Sequence, residues 1–346
     1  MAGIDQIPTR QMMQPLRHSM LKTQNRLSET QTEATTGRHF DIGLALGGRT
    51  GSTVNLRLQL ASIDQALDDF KQAEAKSDLA QASLSSLSQL ADQFRSTLTG
   101  ARTSDDGRTI AAGAASTALL SFRDILSASY DGQYLFSGLN TGTAPLNEYD
   151  SGPRQAVISA FETEFGFPPS DPAAANLTPV QISDFINGAM EDIFSDSGWR
   201  STWSNASDEA PTIRMNGTQT ASVQTTTNGS FAQKIAKALT VMEFFGNSQI
   251  NDAALESASD TALSLVSEGQ LEVGNEQAKI GFGQNGLKLA RSDLTQRRVT
   301  LTGSIQSLEG VDPYEAATST NLLMSQLEAS YALTARLSRL TLLSHI

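Results

Sequence analysis

The chain has no cysteine in its 346 residues. That excludes a disulfide framework, a thiolate metal site and a cysteine nucleophile. Aromatic residues are scarce, at 6% against 39% hydrophobic residues in all. This is lean for a compact enzyme of this length and suits slender helices whose small side chains sit close to a seam. Histidine occurs only as His18, His39 and His345, never at metal-ligand spacing. Positive charge is in deficit, with 25 Lys and Arg against 37 Asp and Glu, a net charge of -12. No basic cluster interleaves with aromatics, so nucleic acid is not an expected partner. The basic amphipathic face that a membrane surface needs is also missing. No run approaches the roughly 18 apolar residues of a membrane span. Met1 to Arg10 lacks the apolar core and cleavage site of a secretory leader, so an exported form is expected to keep its N-terminus.

What the chain has instead is helical periodicity. Met13, Met20, Leu27 and Ala34 lie seven apart, with Leu16 between the first two. Pro15 is expected in the first turn of that helix, where its missing N–H costs least, and Gly37 is expected to end it. A glycine-rich break, Gly43 to Gly51, follows. Leu56, Leu60, Ile63, Leu67 and Phe70 open a second helix. Its stripe shifts phase near Glu74 to Ser77, then resumes as Ala80, Leu84, Leu87, Ala91, Phe94 and Leu98. After an Asp105-Asp106-Gly107 turn, a third helix is expected to about Ser129.

The character changes near Gly138. Most prolines and both tryptophans lie between there and Gly229. The helix signals are short, the clearest being Thr178-Pro179, a capping residue with proline at the first helical position. Thr212 to Thr227 reads as strands and turns. Helix returns with Phe231, Ile235, Leu239, Met242 and Phe245 on one face. Then Val266, Val273, Ile280, Leu287, Leu294, Leu301 and Leu308 recur every seven residues without a miss. A strict heptad sustained this long specifies a left-handed supercoil with a partner helix; an amphipathic helix on a globular core drifts about 20° per heptad. Asp312-Pro313 breaks the pattern, and a last helix carries Leu323, Leu327, Leu333, Leu337, Leu340 and Leu343 over more than one face.

These elements predict a mainly α protein. Its N- and C-terminal arms form a long antiparallel helical-bundle or coiled-coil rod, and a small mixed α+β domain is inserted between them. The expected segments are a terminal helix over 1–48, a first rod half over 49–138, the insert over 139–229, a second rod half over 230–309 and a terminal helix over 310–346. Met13, Leu16, Met20 and Leu27, the heptad from Val266 to Leu308, and Leu323, Leu327, Leu333, Leu337 and Leu340 are the expected assembly and packing residues.

Two strings touch on chemistry. Gly43 and Gly48 have phosphate-loop spacing, but Arg49-Thr50 stands where that motif needs lysine, and no core strand precedes it. A flexible joint between helices fits better. Gly281-Phe282-Gly283-Gln284-Asn285-Gly286 matches a dinucleotide loop only as a bare string inside the heptad run. There the glycines are expected to let another subunit approach closely. No catalytic residue, cofactor or metal is expected.

Several segments point to one family. Asp131-Gly132-Gln133-Tyr134-Leu135-Phe136-Ser137-Gly138 closes the third helix. The tail reads Asp312-Pro313-Tyr314-Glu315-Ala316-Ala317-Thr318, then Gln326-Leu327-Glu328-Ala329-Ser330-Tyr331, then Arg336 to Leu343. This resembles the flagellin family over both arms, about 5–135 and 230–346. Tyr134 to Gly138 looks most like its hook–filament junction branch. The resemblance implies export through the flagellar type III apparatus with a chaperone, secretion without a cleaved signal, and a layer of copies between hook-associated protein 1 and the flagellin filament. It also implies terminal arms that order on assembly. The residues carry the same mechanism: seams completed only by neighbouring copies cannot offset their ordering entropy alone. A filament flagellin, a secreted coiled-coil effector or adhesin, and a nucleotide-binding protein using the Gly43–Thr50 loop are the alternatives.

Overall fold

A computed structural model of the chain describes residues 9–216 and 219–343; the side chains of Met13, Leu337, Leu340 and Leu343 lie outside the described residues. The helices are α1 (Thr9–Thr36), α2 (Ile42–Leu46), α3 (Thr50–Ala101), α4 (Gly107–Leu126), α5 (Pro153–Phe165), α6 (Pro179–Asn187), α7 (Ala189–Phe194), α8 (Asp196–Thr202), α9 (Ser230–Gly246), α10 (Asp252–Glu309) and α11 (Pro313–Leu343). Two 3-10 turns (Gly47–Arg49 and Pro172–Asn176) and two antiparallel hairpins complete the described elements: β1 (Ser129–Tyr130) with β2 (Gln133–Tyr134), and β3 (Thr212–Asn216) with β4 (Gln219–Ser222). The protein is mainly α, with a small mixed region between its helical arms. The chain divides into two compact units, 1–66 with 294–346 (unit 1) and 67–293 (unit 2).

In unit 2, α3 and α10 run antiparallel. Gln270, Gln277 and Gln284 donate to Ser88 O, Ser85 Oγ and Asp78 Oδ1 at 3.2, 3.0 and 3.0 Å, and Arg291 pairs with Glu74 at 2.8 Å. The stripe of α3 does not shift phase. Phe70, Ser77, Leu84, Ala91 and Leu98 are all buried, seven apart. Ser77 occupies a seam position, and its small polar side chain looks like a gap in the sequence. α9 is buried nearly all round because two small residues bring helices close. A Cβ on Gly246 would lie 2.7 Å from Ala112, and one on Gly269 would lie 2.6 Å from Ile235.

The glycines of 281–286 do not loosen α10, which is continuous through them. They admit the β3–β4 hairpin of the same chain: a Cβ on Gly283 would lie 2.2 Å from Ser222 O, and one on Gly286 would lie 3.1 Å from Met215. The expected approach of another subunit here is replaced by an intrachain contact.

The region between the arms is built on an aromatic cluster. Phe161 packs edge-on to Phe185, Phe244 and Phe245 at 5.6, 5.5 and 6.4 Å, and Trp199 stacks on Trp203 at 5.1 Å. Phe244 and Phe245 belong to α9, so this core is continuous with the helical arms. α6 begins with Thr178 and Gln181 in a reciprocal capping box and Pro179 in the first turn.

In unit 1, α1 and α11 are antiparallel partners. Gln24 Nε2 donates to the Tyr331 hydroxyl at 2.7 Å, and Thr334 Oγ1 lies 3.6 Å from Met20 Sδ. α1 begins at Thr9, six residues before Pro15, so the proline sits inside the helix and not in its first turn. It leaves the Gln11 carbonyl without a helical donor. Residues 42–49 form α2 and a 3-10 turn, capped by Asp41 Oδ1 accepting from Leu44 N at 2.9 Å.

Candidate assembly surfaces

The heptad of α10 meets two environments. In unit 2, Val266, Val273 and Ile280 are buried in one continuous core to which α3, α4 and α9 also contribute, and Leu287 is buried as well. In unit 1, Leu294 and Ile305 are buried, but Leu301 and Leu308 are only half-covered. The facing residues of α3, Leu56, Leu60 and Ile63, are half-covered too, while Val54 and Leu58 are exposed. The same holds for the terminal pair. Leu16, Met20, Leu27, Leu323 and Leu327 are half-buried, and Leu21, Leu322 and Leu333 are exposed. Two-stranded pairs leave one flank of each seam in water. Apolar side chains left there retain about 1–2 kcal/mol each of unrealised burial.

One corner of unit 1 is closed firmly. His39 N donates to Glu309 O and Val311 N to Gly37 O, both at 3.0 Å, which ties the exit of α1 to the α10–α11 turn. The Glu309 side chain is 0% exposed. Its Oε2 accepts from Arg57 Nη2 at 2.5 Å, with Arg38 Nη1 at 3.9 Å, and its Oε1 has no partner. Apolar periodicity cannot reveal this pair, since Glu309 and Arg57 read as ordinary surface charges.

The string from Tyr134 to Gly138 is a clasp. Asp131 and Gly132, both at positive φ, turn the short β1–β2 hairpin. Leu135 and Phe136 then enter the core, and the Ser137 hydroxyl donates to Thr143 O at 2.8 Å. Phe136 O accepts from Thr227 N at 2.9 Å and Ser137 O from Ser207 N at 3.0 Å. The point where the chain leaves the helical arms is thus bonded to the segment by which it returns. Gly138 has φ +62, and a Cβ there would lie 2.4 Å from Ser207 Oγ, so glycine is the residue that fits.

The polar networks have structural partners. Tyr149 donates to Glu243 Oε2 at 2.6 Å, and Arg154 pairs with the other oxygen at 3.3 Å. Burial, then the adjacent carboxylate, pushes the Tyr149 hydroxyl well above its ordinary pKa. A cavity of about 430 Å³ lies at the α3–α4 turn. Its Arg108 is taken up by the carbonyls of Phe245, Ser248 and Ile250. The Gly43–Thr50 segment is α2, the 3-10 turn and the first residue of α3, so its amides serve a helix-to-helix corner. Among the described residues no group of three or more His, Asp or Glu is placed to hold a metal, and no helix is long and apolar enough to cross a membrane.

Long antiparallel helical arms with half-open seams and an inserted middle define a helical self-assembling structural protein. The bacterial flagellin N-terminal helical region matches residues 7–141, and the bacterial flagellin C-terminal helical region matches residues 263–346. The chain belongs to the flagellin family. It is therefore a structural component of the extracellular bacterial flagellum, of a family that assembles from copies. Its fold is similar to that of a Vibrio parahaemolyticus protein described as a flagellar hook-associated protein, with 14% identity and a TM-score of 0.50 over 75% of this chain and 97% of that one. No curated protein sequence matches it.

Proposed function

We propose that the chain forms the junction layer between the hook, at hook-associated protein 1, and the flagellin filament. The observation that carries this reading is the half-open seam of unit 1. Met13, Leu16, Met20, Leu27, Leu301, Leu308, Leu323, Leu327, Leu333, Leu337 and Leu340 provide apolar positions for neighbours in the stack. Buried Val266, Val273, Ile280, Leu287 and Leu294 hold each subunit together before assembly. Ordering the terminal helices costs about 1–2 kcal/mol per residue in backbone entropy, which burial against neighbouring copies offsets. Assembly and final folding are then one event. The Tyr134–Gly138 string supports the junction role over that of filament flagellin. An export chaperone covers the terminal seams before secretion.

A deletion strain tests this. It should build complete hooks, release flagellin into the medium and grow no filaments, and the intact gene should restore them. Normal filaments in the deletion strain, or long filaments grown by the purified protein on seeds, would replace the junction role with that of a filament subunit.

A further inference from the structure

A polar cleft lies between α8, the segment that follows β4, and α10. Its volume is about 370 Å³, within the range of small-molecule sites. All of its walls belong to unit 2. α8 supplies Asp196 and Arg200, the loop after it Asp208, the segment after β4 Gln224 and Asn228, and α10 Glu276. No aromatic side chain lines it, and Ala210 is its one aliphatic residue.

Two groups in this cleft are not used by the fold. Gln224 is 8% exposed, yet neither atom of its side-chain amide has a hydrogen-bond partner among the described residues. Neither atom is sealed from solvent, so the amide opens on the cleft that it lines. An amide this far from bulk water normally bonds within the fold. Asn228 Nδ2 donates to Ala206 O at 3.1 Å and to Asp208 Oδ1 at 2.8 Å, which fixes its orientation and leaves Oδ1 without a donor. The charges decide what fits between them. Arg200 pairs with Asp208 at 2.9 Å and Lys279 with Glu276 at 2.6 Å. With two of three carboxylates already neutralised, a further cation has little left to pair. An anion would face Asp196, Asp208 and Glu276 together. What remains is a neutral molecule that both gives and takes hydrogen bonds. Adjacent hydroxyls on a sugar ring do this, and they match planar carboxylate, amide and guanidinium groups.

We propose that this cleft binds a neutral saccharide. The Gln224 amide donates to one ring hydroxyl and accepts from the next. Arg200 bonds Asp208 through Nε and the Asp196 carbonyl through Nη1, which leaves Nη2 as a donor to the ligand. Asp196 accepts from Gln233 at 3.1 Å through one oxygen and keeps the other for a hydroxyl. The cleft is open and lacks an aromatic platform, so a single site binds weakly, with a Kd on the order of 1 mM. The same cleft repeated over assembled copies gives multivalent attachment. The inference adds a ligand to the flagellar component and does not depend on which layer of the flagellum the chain forms.

The full chain, purified, is titrated with glucose, galactose, mannose, rhamnose and N-acetylglucosamine, and binding is read by saturation transfer from protein to sugar. Putrescine and inorganic phosphate are the charged controls. At least one of the sugars should bind. Gln224→Leu, close to glutamine in size, should weaken that binding about tenfold with the melting temperature unchanged. Asp196→Asn should weaken it about threefold. Asp196 is exposed, so its variant reads the site even where Gln224→Leu is unstable. The intact mass of the chain from sheared flagella assigns the source: a glycan carried by a neighbouring copy adds to the mass, and a saccharide taken from the surroundings does not. Either source is compatible with the site. No binding of any sugar, sugar binding that neither variant weakens, or binding of putrescine or phosphate in place of sugar would overturn the saccharide site and leave the flagellar role intact.

Discussion

Unit 2 and unit 1 share two helices and one heptad, and they use it differently. In unit 2 the repeat joins a core to which α4 and α9 also contribute, and Val266, Val273, Ile280 and Leu287 are all buried. In unit 1 the same helix keeps the period, but Leu301 and Leu308 stay half in water. The period of a sequence thus reports that a partner exists; the number of layers decides whether the partner is internal. A helix pair alone buries too little to be stable, and a further layer must come from the chain or from a neighbour.

The sharpest way to break the comparison is to place the same substitution in both halves of the seam. Val273→Asp puts an unpaired carboxylate into a filled core and should cost more than about 4 kcal/mol, enough to abolish cooperative unfolding of unit 2. Leu301→Asp can turn its charge to water and should cost the isolated monomer about 1 kcal/mol or less, yet prevent incorporation into flagella. Thermal melts and flagellar incorporation read the two effects. If Leu301→Asp melts unit 1 as severely as Val273→Asp melts unit 2, the seam of unit 1 is already closed in the monomer.

Arg57→Ala examines the enclosed corner of unit 1 around Glu309. It leaves Glu309 buried with only Arg38 nearby. Removing one partner of a fully buried ion pair costs roughly 3–5 kcal/mol. Because Arg57 is half-exposed, about 2 kcal/mol is expected here. Amide exchange at His39 and Val311, which bond across the corner, should accelerate about thirtyfold, with no change at Trp199 in unit 2. Equal acceleration in both units would mean that the corner does not have its own stability.

Much of the architecture was legible in the sequence because periodicity is a strong signal when it is long. The α10 heptad, the Thr178 cap, the change of character at Gly138 and the β3–β4 strands all follow from patterns of residue type. What was not legible depends on residues whose role is set by neighbours distant in sequence. Gly283 and Gly286 look alike in the sequence whether a hairpin or another subunit presses on them; only the placement of Ser222 and Met215 decides. Pro15 tolerates an interior position that local rules forbid. The buried Glu309 is hidden because apolar periodicity reports one stripe per helix and does not place charged residues.

Ser77 offers the smallest and most exacting prediction. Its hydroxyl is fully buried in the α3 seam and has no hydrogen-bond partner. A buried unsatisfied polar group costs about 1–3 kcal/mol, while the contacts that serine makes are few. Ser77→Ala removes the oxygen, keeps the Cβ and improves helix propensity. It should stabilise unit 2 by about 1 kcal/mol, raising its melting temperature by about 2–4 °C. Leu84→Ala, one heptad along the same stripe, should instead cost roughly 2–5 kcal/mol. Opposite signs at two neighbouring seam positions would place Ser77 as a polar interruption tolerated by an otherwise complete core. A loss of stability in Ser77→Ala would mean that the hydroxyl is satisfied, and that the apparent gap in the α3 stripe is a polar contact the core depends on.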